Sequence, residues 1–83
     1  MGETGMTIQT EYEYITIEEV EDTGKTKVWL VANKKNIVAP LGAIHWWSNW
    51  RQYVFTPEPG TIYSAGCLHD IRAFIYQQMA ARK

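Results

Sequence analysis

A chain of 83 residues that is 46% hydrophobic and 13% aromatic holds enough apolar mass for one small core, which excludes both a second domain and a disordered polymer. Its net charge of −1 excludes a strong polycation, and its one cysteine, Cys67, excludes an intramolecular disulfide. No run approaches the ~20 apolar residues that span a bilayer, so no membrane partner is expected and the expected location is the cytoplasm.

Residues 1–6 are polar and glycine-containing and are expected to form a tail, leaving one domain over residues 7–83. The first predicted strand covers residues 11–21. Glu11, Tyr12, Glu13 and Tyr14 alternate charge and ring, and then Ile15 and Ile17 take the apolar positions in the opposite phase, which predicts a bulge or twist near Tyr14. Asp22-Thr23-Gly24-Lys25 supplies a turn, and residues 26–33 return antiparallel, bringing the acids of the first strand beside Lys25 and Lys27.

Asn33-Lys34-Lys35-Asn36 reads as the next turn, since Asn tolerates left-handed backbone. A third strand follows over residues 39–47, with Pro40 at its entrance and Gly42 marking a weak middle or a close backbone approach. Ser48-Asn49 makes a tight turn into a fourth strand over residues 50–55, with Tyr53 and Phe55 on one face and Gln52 and Val54 on the other. Pro57-Glu58-Pro59-Gly60 ends it.

The period then changes. Cys67, Leu68, Ile71, Phe74, Ile75, Gln78 and Met79 follow helical spacing and predict a helix over residues 65–81 capped by Ser64, with Arg82 and Lys83 complementing its dipole. The fold class is therefore α+β: an antiparallel β-sheet of about four strands followed by one C-terminal α-helix packed on one face. The other sheet face is left open to water or to a partner, and function is expected there.

The charge is unevenly placed. Residues 1–24 hold seven acids and no Lys or Arg, whereas residues 25–83 hold all eight bases and only Glu58 and Asp70 as acids. Between residues 25 and 57 there is no acid, and Lys25, Lys27, Lys34, Lys35 and Arg51 alternate with Trp29, Trp46, Trp47 and Trp50. Adjacent strand residues point to opposite faces, so Trp46 and Trp47 cannot share one core layer and at least one Trp is expected in the open.

Two readings of this segment stand. In one, the tryptophans fill the core and the lysines are ordinary surface. In the other, Lys34, Lys35 and Arg51 meet phosphates while Trp46, Trp47 or Trp50 stacks on a base, making the chain a nucleic-acid or nucleotide binder. A third class is a protein-binding factor that uses the exposed sheet face or the acidic first strand to engage another protein. Homodimerisation through an open edge or face would cover the same tryptophans.

Catalysis is not expected. Cys67 and His69 are two residues apart and do not face each other on a helix, so His69 is misplaced to activate the thiol. His45, Cys67 and Asp70 lack metal-ligand spacing, and no cofactor motif is present.

Trp29, Leu41-Gly42, Ile44, Trp46, Trp50-Arg51, Tyr53, Phe55, Pro57, Pro59-Gly60-Thr61, Cys67-Leu68 and Asp70-Ile71 together resemble small uncharacterised proteins encoded by bacteriophages and prophages. That resemblance implies a phage-related accessory role in the host bacterial cell, with a host protein as an alternative partner, and assigns no site residue. Three strands followed by one helix are also similar to the arm-site binding domains of integrases and to the plant AP2 domain, which lay a sheet in the major groove, although those are usually far more basic.

Overall fold

The computed structural model describes residues 12–82, the side chains of 36–38 excepted. Four strands, β1 (Ile15–Asp22), β2 (Lys27–Asn33), β3 (Asn36–Trp47) and β4 (Gln52–Pro57), form an antiparallel sheet in sequence order, and helix α1 (Ala65–Ala81) follows. This is the α+β architecture that the change of period predicts. Consecutive strands joined by short turns need no crossover, so each hairpin lays its strand beside the last.

One face of the sheet packs under the helix. Ile15, Ile17, Trp29, Val31, Ile44 and Tyr53 meet Cys67, Ile71 and Phe74 in a single core that also takes in Tyr12 and Leu41. Trp29 sits at its centre, edge-on to Phe74 at 5.0 Å and to Tyr53 at 5.1 Å between ring centroids, a geometry that aligns ring edges with ring faces.

The helix begins where its cap chemistry sets it. Ser64 is extended, with φ −84° and ψ 168°, and its hydroxyl accepts from the Cys67 N–H at 3.1 Å. Ser64→Ala should therefore cost about 1 kcal/mol, measured by urea unfolding. The apolar stripe is narrower than its spacing implies, because Leu68 is exposed while Asp70 and Gln78 are buried. Arg82 is the C-cap residue, and its guanidinium lies 3.9 Å from the Trp46 ring centroid and donates to the Lys25 carbonyl. Lys83 lies outside the described residues.

Three local expectations need correction. Residues 12–14 do not continue β1, and the irregularity falls between Glu19 and Glu21 instead of near Tyr14. Tyr12 and Tyr14 reach back to the helix: the Tyr12 hydroxyl accepts from Gln77 at 3.0 Å, and the Tyr14 ring lies over Gly66. Buried Asp70 holds this segment by accepting the Tyr14 N–H at 3.3 Å. Glu11 and the proposed tail lie outside the described residues.

Next, β3 starts at Asn36, before the predicted entrance, and a register shift between Val31 and Ala32 absorbs Pro40. The extra residue is Leu41, which the bulge turns into the core. Finally, Trp50 is not in β4. It belongs to a four-residue loop, 48–51, in which the Trp50 N–H donates to the Trp47 carbonyl and Arg51 takes a left-handed φ of 56°.

Burial, reinforced by the Asp70 carboxylate and opposed by the Gln77 hydrogen bond, raises the Tyr12 phenol above its ordinary value. A raised folded-state pKa means that the stabilisation is complete below the unfolded value of about 10 and is lost as pH rises through the folded one. Tyr12→Phe should flatten the alkaline decline of stability, as followed by unfolding midpoints above pH 9.

Candidate functional site: the uncovered sheet face

Strand alternation sends a second set of side chains away from the helix. Pairing aligns Glu18, Leu30, Ala43 and Thr56 in one row across all four strands. The neighbouring row contains the pairs Glu21–Val28 and His45–Val54, and the next contains Trp47–Gln52. Nothing among the described residues covers this face. Leu30 is 39% exposed and Trp47 43%, both well above what a core position shows.

The centre of the face is apolar. Val28, Leu30, Ala32, Ala43 and Val54 occupy it, and its β2, β3 and β4 positions from Val28 to Thr56 carry no Asp, Glu, Lys or Arg among the described side chains. One polar ring, His45, stands among them, paired with Val54 across β3 and β4. His45 Nε2 lies 2.7 Å from the Thr56 hydroxyl and its Nδ1 lies 3.3 Å from the Trp46 carbonyl, while Glu18 and Glu21 line the β1 edge.

Two tryptophans close one end. Trp50, 66% exposed, stands edge-on to Trp47 at 6.4 Å, and Arg51 follows it in the loop. A loop supplied by a rigid hairpin is the usual way a fold presents such rings. No signal in the sequence separates Trp47 from Trp46 except strand parity, and parity is what puts them on opposite faces. Trp46 packs edge-on to Tyr53 at 5.2 Å beneath the Arg82 guanidinium.

The six residues singled out from the sequence therefore do not meet. Trp47, Trp50 and Arg51 share one end of the sheet, and Trp46 lies on the helix side of it. Lys34 and Lys35 occupy the β2–β3 turn at the opposite end. Between them runs the 12-residue β3, which at ~3.3 Å per residue spans roughly 35 Å. Lys34 is also engaged in structure: its ammonium donates to the Tyr12 carbonyl at 2.8 Å and its N–H to the Tyr14 carbonyl at 3.0 Å.

A cleft of about 390 Å³ opens at that far end, walled by Tyr14, Lys34, Lys35, Ile62, Ser64 and Cys67. Cys67 is buried and His69 exposed, so the helix turns the two to different environments. Among the described residues no three His, Cys, Asp or Glu side chains are grouped to hold a metal. No helix among them is long and apolar enough to cross a membrane.

The opposite charges of the first hairpin do meet. Lys27 Nζ lies 3.5 Å from Glu19 and 3.9 Å from Asp22, an exposed arrangement worth at most a few tenths of a kcal/mol. Comparison with protein-family models, curated proteins and solved structures gives no match to this chain.

Proposed function

We propose that this chain is a non-enzymatic binding module whose working surface is the uncovered sheet face and whose ligand is a protein surface. The observation that carries this reading is the uncharged centre formed by Val28, Leu30, Ala43 and Val54. Apolar rows broken by one hydrogen-bonded His45 and flanked by polar groups match the anatomy of protein interfaces, where aromatic side chains act as anchors. Trp47 and Trp50 offer such rings at one end of the face.

The nucleic-acid or nucleotide reading keeps one supporting observation, the contiguity of Trp47, Trp50 and Arg51 at the 48–51 loop. It loses Lys34 and Lys35, which are too distant to meet the same phosphates as Arg51. A phage-related role fits either reading, with a host protein as ligand in the first.

The two readings separate on salt and on mutation. Affinity capture from a bacterial extract should survive moderate salt, fall at least tenfold for Leu30→Lys and Trp50→Ala, and be indifferent to Lys35→Ala. Both substitutions are at exposed positions and should change folding stability by no more than about 1 kcal/mol. Quenching of Trp fluorescence by oligonucleotide or nucleotide that falls steeply with salt and vanishes for Arg51→Ala would instead establish the nucleic-acid reading.

A further inference from the structure

We infer that the occupant of the open face is a second copy of this chain, packed face to face about a two-fold axis parallel to the strands. The inference rests on the open face being the binding surface and adds the identity of the partner. Three features of the face favour a second copy.

The first is shape. With the axis over the β2–β3 boundary, the row Glu18, Leu30, Ala43, Thr56 of one copy meets the same row reversed. Leu30 then lies over Ala43 of the other copy, and Ala43 over its Leu30. A large residue opposite a small one, twice over, is the self-complementarity that an isologous interface requires. Sheets pack about 10 Å apart when such rows interdigitate.

The second is charge. Among the described residues the only carboxylates on the face are Glu18 and Glu21, both on β1. An axis across the strands would set β1 against β1 and bring four carboxylates together, which like-charge repulsion opposes. The axis along the strands sets β1 against β4, whose face carries Gln52, Val54 and Thr56. Glu18 then approaches the Thr56 hydroxyl that pairs with His45, and Glu21 comes near the end of the sheet that carries Arg51. Glu18 has no ion pair among the described residues, so this contact breaks none.

The third is area. Four strands at ~4.8 Å spacing and six or seven residues of length give a face of roughly 20 by 20 Å. Two such faces bury roughly 800 Å² in total, and the exposed Trp47 and Trp50 of each copy at the margin bring this toward the ~1,200 Å² lower bound for a specific association. A dimer that forms in the micromolar range is the expected consequence.

Sedimentation velocity between 1 and 200 µM, with disulfide trapping, tests this directly. The wild-type chain should shift from monomer to dimer across the range, and Leu30→Lys should weaken the association at least tenfold while remaining folded by circular dichroism. A Glu18→Cys/Thr56→Cys chain should form a disulfide-linked dimer on mild oxidation. Within one chain these positions are three strands apart, too far for a bond. Trapping by Glu18→Cys alone, as complete as by the pair, would overturn the axis.

A wild-type monomer at 200 µM would overturn the dimer. If Leu30→Lys still abolished capture of another protein, the face would stand as the binding surface with a different occupant. If Leu30→Lys changed neither association nor capture, the binding surface itself would be wrong.

Discussion

Phe74→Ala should unfold the chain or leave it barely folded at 25 °C. Phe74 is fully buried and touches Trp29 edge-on, so its loss opens a cavity in the middle of the contact between helix and sheet. Truncating a buried Phe costs 3–5 kcal/mol, while a domain of this size holds only about 4–12 kcal/mol in all. Among the described residues the second layer is a single helix, so no neighbouring described element can move in to fill the space. Urea unfolding should show a midpoint displaced to near zero denaturant. A variant that loses under 1 kcal/mol would mean that the helix does not rest on Trp29.

Gly42→Val should be nearly as severe, for the opposite reason. A Cβ at Gly42 would meet the Phe55 ring at 2.7 Å and the Thr56 backbone carbonyl closer still. Phe55 can turn aside, but the carbonyl belongs to the paired strand and cannot without opening the β3–β4 ladder. Overpacking of this kind costs about 1–3 kcal/mol, and the branched Val adds to it. Gly24 and Gly60 provide the contrast. Neither has a neighbour within 4 Å of a Cβ, and each has a positive φ, so Ala there should cost about 1 kcal/mol through backbone strain alone. Thermal unfolding of the three variants should rank Gly42→Val lowest.

Where the sequence was legible, local chemistry and periodicity agreed. Ser64, the change to helical spacing and the breaker at residues 57–60 define the helix at 65–81, where it is observed. The alternation of Tyr53 and Phe55 against Gln52 and Val54 likewise survives in β4. Legibility failed where a side chain's role depends on a distant element. Tyr12 and Tyr14 alternate like strand residues, yet the helix claims them through Gln77, Asp70 and Gly66.

Leu41 offers the same lesson in the sheet. Simple alternation along β3 would set it on the face opposite Gly42, and only the bulge beside Pro40 sends it inward. The candidate site was distorted by a third effect. A basic, Trp-rich run is compact on the page, but a run that contains a hairpin turn and a 12-residue strand is spread along the full length of the sheet. Charge counted along a sequence measures clustering only when the segment folds back on itself within a few residues.

The open face has a physical origin in this layout. One helix can cover one face of a four-stranded sheet, and the alternation that buries Trp29, Val31 and Ile44 necessarily turns Leu30, Ala43 and Trp47 outward. Those outward positions would usually be Lys, Glu or Thr in an antiparallel sheet that faces water. They are instead Leu, Ala, Val and Trp.

Methyl-labelled NMR spectra of the chain, dilute in buffer, then at 200 µM, then dilute in bacterial extract, test the role of this face most directly. The methyls of Val28, Leu30, Ala43 and Val54 should shift or broaden at 200 µM, as a second copy covers them, or in the extract, while those of Val31 and Ile44 in the core do not. Unchanged open-face methyls, or changes confined to the cleft at Lys34, Lys35 and Ile62, would contradict it.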